Sequence, residues 1–154
     1  MRLLADGNIA LDEALLQSVF AKAAEAGLTT RDLEDCVRLF CMVCNHVDEL
    51  RFELRSFSQS YQLEVGDRHC AIVFRDGSCA VYSGDWDSPD VTFQMDPATA
   101  LNLFMGRINS GAAHMNGDIR YKGTKDGAIR LQSVWELFLD EVDARSGPAR
   151  SASK

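Results

Sequence analysis

Hydrophobic positions recur with a helical period at the start of the chain, alternate through its middle and return to the helical period near its end. Residues 12–26 carry Leu15, Leu16, Val19, Phe20 and Ala23 at helical spacing, with Asp12 placed as a cap and Gly27 just past the end. Thr29 followed by Asp32 has the form of a capping box, and Leu33, Cys36, Phe40, Val43, Val47 and Leu50 then follow at spacings of three and four. These two segments predict a helical hairpin, its second helix continuous through position 50 and ending near Arg55, where Phe52, Leu54 and Phe57 begin to alternate with polar residues.

From Tyr61 the chain reads as short strands rich in β-branched and aromatic residues: YQLEV, HCAIVF, CAVYSG and VTFQM. Gly66-Asp67 and Asp76-Gly77 separate the first three as tight turns, which predicts an antiparallel meander, and a longer loop follows over residues 84–89. Asp96-Pro97 opens a helix with Ala98, Leu101, Met105 and Ile108 on one side. The small residues between 109 and 117 predict one short helical turn before a fifth strand, DIRYKG. A last helix, over residues 127–142, has Leu131, Val134, Trp135, Phe138 and Val142 on one face, with Ile129, Leu137 and Leu139 widening the apolar arc. The chain thus divides into a hairpin over 1–55, packed on a domain over 56–142, and a polar, Pro-interrupted tail over 143–154 that reads as disordered.

Charge narrows the possible partners. Sixteen Lys and Arg against 23 Asp and Glu give a net charge of -7, which opposes binding to nucleic acid. No apolar run approaches the roughly 18 residues needed to span a bilayer, and no export signal is read at the start, so the expected location is cytoplasmic. The basic residues are unevenly placed. Arg107, Arg120, Lys122, Lys125 and Arg130 outnumber Asp118 and Asp126, a local excess that could turn one face toward an anionic surface, although a solvated strand-and-turn face explains it more simply.

Candidate catalytic chemistry is sparse. Cys36, Cys41, Cys44 and His46 lie close in sequence, but on a continuous helix Cys36 and Cys44 share a seam with Phe40 while Cys41 and His46 project elsewhere. The Cys41–Cys44 spacing falls mid-helix, where no helix N-terminus lowers a thiol pKa. The five cysteines therefore read as reduced core residues, and no metal is expected. His46, His69 and His114 stand in unrelated contexts, and no nucleophile elbow or phosphate-binding glycine loop occurs. Asp85, Asp87 and Asp90 lack a calcium-loop pattern and read as a solvated acidic turn. What the sequence has in surplus is apolar side chains: three consecutive helical segments must cover one sheet face, with more apolar groups than two layers need.

The run GRINSGAAHMNGDIRYKGTKDGAIRLQS, residues 106–133, resembles the signature of the sterol carrier protein-2 domain family. Gly106, Ile108, Asn109, Ala113, Met115, Gly117, Ile119, Lys122, Gly123, Ala128 and Leu131 stand, ungapped, where that signature has the same or similar types, and the likeness extends over roughly residues 55–140. Two departures stand out: His114 replaces a usual Phe, and Ser110-Gly111 replaces a common Pro-Gln, which opens the cavity wall to a polar group. The resemblance implies an α+β fold, with a five-stranded, mixed, mainly antiparallel sheet, helices over one face and a hydrophobic lipid tunnel between them. It implies a non-catalytic carrier without cofactor for a fatty acyl, acyl-CoA, sterol-like or isoprenoid ligand, making transient membrane contact. The alternative is a lipid-handling accessory of an enzyme complex, such as one of quinone biosynthesis, or a homodimer, with the seam of residues 33–50 as the interface. On this reading the tunnel lining is drawn from Phe93, Leu101, Phe104, Met105, Ile108, Met115, Ile129, Leu131, Val134 and Phe138.

Overall fold

The computed structural model describes residues 2–25 and 27–146. The meander forms as its turns require. Strands β2 (Gln59–Val65), β3 (Arg68–Arg75) and β4 (Ser78–Ser83) pair antiparallel through two-residue connections. Asp76 and Gly77 both take positive φ, 50° and 81°, which matches a type I′ turn and the twist of the strands it joins. Beyond β4 the chain crosses the outer face of the sheet and returns as β5 (Val91–Met95), parallel to β2, and β6 (Ile119–Gly123) then pairs antiparallel with β5. Gln62, only 3% exposed on that outer face, holds the crossover: its amide donates to the Cys70 and Gly84 carbonyls, both at 3.1 Å, and accepts from the Trp86 N–H at 2.6 Å.

The sheet has six strands rather than the five expected. Residues Arg2–Ala5 form an additional edge strand, β1, antiparallel to β4, giving the order β1-β4-β3-β2-β5-β6. Four residues are too short to show a period in sequence, and the strand is stabilised by pairing far along the chain.

Helices α1 (Glu13–Glu25), α2 (Leu33–His46), α3 (Asp48–Leu54), α4 (Pro97–Phe104), α5 (Ser110–Met115) and α6 (Lys125–Ser146) complete the fold. The predicted long second helix is divided. Val47 takes an extended conformation (φ -94°, ψ 124°), and the kink keeps Val43 before it and Leu50 and Leu54 after it all in the core. Helix α6 continues past the expected boundary at Val142 through Ser146, and residues 147–154 of the expected tail lie outside the described residues.

Helix α2 is the inner helix of the fold. Leu33, Cys36, Leu39, Phe40, Cys41, Met42, Val43 and Cys44 are all buried, so the seam of residues 33–50 faces this chain's own core and is not available to a partner. The correction has a physical reason: apolar residues surround most of α2 and bury it from several sides. Its register on β4 is fixed by Asn45, whose amide donates to the Cys79 carbonyl at 2.9 Å and whose oxygen accepts from the Cys79 N–H at 2.8 Å.

The start of α2 is held by Asp32, 6% exposed, which accepts from the Thr29 N–H at 2.8 Å and pairs with Lys22 of α1 at 3.0 Å. The Thr29 N–H, together with Lys22, keeps this carboxyl below its ordinary value against the opposing effect of burial. A lowered native pKa makes the stabilisation complete above the unfolded-state pKa of about 3.9 and removes it as pH falls through the native value. Asp32→Asn is therefore expected to cost about 1–2 kcal/mol in urea unfolding at pH 7, with the gap between the two proteins closing below about pH 4.

Candidate ligand cavity

Helix α6 meets the sheet at a residue without a side chain. The Tyr61 hydroxyl, fully buried on β2, donates to the Gly127 carbonyl at 2.7 Å, and a Cβ at Gly127 would lie 2.8 Å from the Val91 side chain and 2.7 Å from Thr124 Oγ1. Eleven positions on, Phe138 is buried against Phe40, Phe104 and Trp135, with ring centroids 5.3, 5.6 and 5.0 Å away. Between these two attachments α6 covers a cavity of about 130 Å³.

The walls of the cavity are almost wholly apolar. Helix α2 contributes Leu33, Cys36, Val37 and Phe40, the sheet contributes Leu63, Val65, Ile72, Phe93, Met95 and Ile119, and α4 contributes Ala100, Leu103 and Phe104. Helix α5 adds Ser110 and His114, and α6 adds Ala128, Leu131, Gln132 and Trp135. A second hollow of about 120 Å³ adjoins it, sharing Leu33, Val37, Leu63 and Val65 and reaching Glu34, Arg68, His69 and Cys70. Burial lowers the pKa of His114, whose ring stands edge-on to Phe93 and Tyr121, both at 5.9 Å.

Of the residues expected to line a tunnel, Phe93, Phe104 and Leu131 do line this cavity. Leu101, Val134 and Phe138 are packed in the core instead. Met105 is half-buried against the core beyond the end of α4, and Ile108 borders a separate surface hollow with Arg107 and Asn109. Met115 and Ile129 are corrected outright, being 90% and 50% exposed. Each stands one residue past an inward position, His114 and Ala128, and one residue turns a helical side chain by about 100°. Sequence reasoning missed the wall from α2 and the indole of Trp135, although Phe40 and Cys36 were visible as one seam.

The thiols are buried core groups. All five cysteines are free and buried; burial pushes Cys70 up to about 11 and raises Cys36 further, and Cys41 is occupied in donating to the Cys79 carbonyl at 3.2 Å. Among the described residues no group of three or more His, Cys, Asp or Glu is arranged to hold a metal ion, and no helix is long and apolar enough to cross a membrane. In the acidic turn, Asp90 accepts from the Ser60 N–H at 2.8 Å and Asp85 pairs with His69, so these carboxylates tie strand ends together.

Residues 43–136 match the family model described as the SCP-2 sterol transfer family. Among solved structures, the fold is similar to palmitated SCP2L2 from Aedes aegypti, at 20% identity and a TM-score of 0.58 over 70% of this chain and 95% of that one. It is similar to sterol carrier protein 2 like 2 from the same organism, at 22% identity and 0.56 over 68% and 96%. The UbiJ-SCP2 ubiquinone synthesis protein shares it at 15% identity and 0.54 over 64% and 88%. No curated protein sequence matches the chain.

The contact at Gly127 should be sensitive to a single methyl group. Gly127→Ala gains about 1 kcal/mol of helix propensity but sets a Cβ against the buried Val91, and a net loss of about 1–3 kcal/mol is expected by chemical denaturation.

Proposed function

This chain belongs to the SCP-2 sterol transfer family, whose fold is a lipid-binding one, and on that premise we propose that it is a non-catalytic carrier taking up the aliphatic chain of a lipid between the sheet and helices α2, α4, α5 and α6. The observation that carries the reading is the cavity itself, about 130 Å³ with an almost wholly apolar wall. Along α2, α4 and the sheet such a space is favourable for hydrocarbon and poor for water, because that part of the wall supplies none of the two to four polar partners a water needs.

Volume limits the ligand. At about 30 Å³ per small group, the cavity takes roughly four methylenes, and joined to the adjoining hollow roughly eight. At about 0.8 kcal/mol each, eight methylenes supply about 6 kcal/mol before ordering costs, so a chain of eight to ten carbons is favoured where the two hollows join. Longer chains require half-buried side chains such as Met95, Leu131 and Trp135 to move, and the unbranched thioether of Met95 is suited to repacking. Joining the hollows would make the tunnel, with its second mouth beside Arg68 and His69.

A membrane-facing side is proposed on the basic surface. Arg120, Lys122 and Lys125 are exposed along β6 and the start of α6, Arg120 and Lys122 on the outer face of the sheet, alternating with the cavity-lining Ile119. The accessory reading keeps some support from Phe52, 60% exposed on α3, and Ile129 on α6, which lie beside the Glu53–Arg130 pair joining those helices. This surface, rather than the buried seam of α2, is where a protein partner would be sought.

Three experiments test these readings. Protein purified gently and examined by native mass spectrometry, then by solvent extraction, is expected to release a lipid or to bind a decanoyl fluorescent probe at micromolar concentration. Ala100→Phe, which fills the cavity from a half-buried position, should weaken probe binding at least tenfold with an unchanged circular dichroism spectrum; unaltered binding would place the probe elsewhere. Lys122→Glu with Lys125→Glu should slow transfer to anionic vesicles several-fold at low salt and leave transfer to neutral vesicles unchanged.

A further inference from the structure

The polar groups of the cavity wall are concentrated at one end. Apart from the Cys36 thiol, they are the Ser110 hydroxyl and His114 imidazole of α5, and the Gln132 amide and Trp135 indole N–H of α6. Ser110 and His114 are four residues apart and share a helical face. Gln132 reaches toward them through a gap left by a glycine, since a Cβ on Gly111 would stand 3.5 Å from the Gln132 amide nitrogen. Ser110 and Trp135 are neighbours as well, both bordering the shallow hollow on the other side of this end.

These groups lack protein partners. The Trp135 indole nitrogen is buried without a hydrogen bond, and no hydrogen bond from a described residue reaches the side chains of Ser110, His114 or Gln132. An indole N–H is a donor only, so whatever satisfies it must bring an acceptor. An unmade bond at a buried donor costs about 1–3 kcal/mol, a cost that a ligand oxygen would remove.

The same wall contains no Lys, Arg, Asp or Glu. An ionised carboxylate or phosphate lodged inside the cavity would find no counterion in its wall, since Arg107 lies instead on the shallow surface hollow beside Glu136, Asp140 and Asp143, whereas a neutral oxygen needs only hydrogen bonds. His114 is held in its neutral form by burial and so offers one donor and one acceptor.

Resting on the carrier reading, we propose that the α5–α6 end of the cavity is a head-group subsite for an uncharged, oxygen-bearing amphiphile, one ending in a carbonyl or hydroxyl group. The ligand oxygen accepts from the Trp135 indole N–H, and Gln132, His114 and Ser110 complete its hydrogen bonds while the aliphatic chain runs toward α2 and the sheet. The reading separates this chain from a general acyl binder, which would show no preference among head groups.

The protein has two tryptophans, and Trp86 lies on the opposite face of the sheet near Tyr82 and Arg75, so Trp86→Phe leaves Trp135 as a reporter inside the cavity. This protein is titrated at pH 7.5 with decane, 2-decanone, 1-decanol and sodium decanoate, following Trp135 emission and, independently, displacement of the decanoyl probe. The ketone and alcohol are expected to bind at least tenfold more tightly than decanoate, and to shift Trp135 emission to the red relative to decane. Gln132→Leu combined with His114→Phe should weaken ketone and alcohol binding several-fold and retain decane binding. Decanoate binding as tightly as the ketone, or ketone and alcohol binding unchanged in the double variant, overturns the subsite while leaving the carrier intact. Failure of decane and of the decanoyl probe to bind at all overturns the carrier reading, and the subsite with it.

Discussion

The seat of α6 on the sheet is the constraint on which the rest of the architecture depends. At one attachment, Tyr61 and Gly127 bring helix and sheet to a separation that any side chain would increase. At the other, Phe138 fills the space between Phe40 and Phe104. The helical span between them is about 16 Å, and over that span the small Ala128 and the half-buried Leu131, Gln132 and Trp135 leave room that the two anchors prevent from collapsing. A cavity held open in this way owes its shape to polar and steric detail at its ends and its chemistry to the apolar residues between.

Helix α2 plays the complementary part. Because Asn45 locks it to β4 and Asp32 to α1, it is a fixed wall, whereas α5 is a single short helix joined to its neighbours through glycines. Gly106 and Gly117, on either side of α5, both take positive φ, 70° and 81°, conformations that free the chain to turn sharply. The wall from α2 is thus fixed and apolar, and the polar end of the cavity is shared between the short α5 and the anchored α6.

Much of the fold is legible in the sequence because its turns and caps are local. Asp76-Gly77, Asp96-Pro97 and Thr29–Asp32 each specify geometry within four residues, and the strands and helices they bound were found. Features set by distant partners were not: β1 is defined by β4, and the break at Val47 by where Leu50 and Leu54 must be buried. For the site, Phe93, Phe104 and Leu131 border the cavity, but apolar character does not distinguish a cavity wall from packed core, as Val134 and Phe138 demonstrate. Met115 and Ile129 show the finer limit, since a turn of one residue on a helix separates cavity from solvent. The polar replacement at His114 was the more informative signal, because a polar residue at an apolar position must find a partner or a purpose.

The pairing of β1 with β4 has a kinetic meaning. Arg2 and Ser83, which sit opposite each other in the sheet, are 81 positions apart, and closing a loop of that length costs about 4 kcal/mol in chain entropy, against far less for the two-residue hairpins beside it. The meander therefore assembles early and the edge strand late, as non-local contacts form slowly. On a ribosome, the residues of β1 emerge long before their partner and are among the last to settle. Until they do, β4 presents an unpaired backbone edge, along which a neighbouring nascent chain could add a strand of its own.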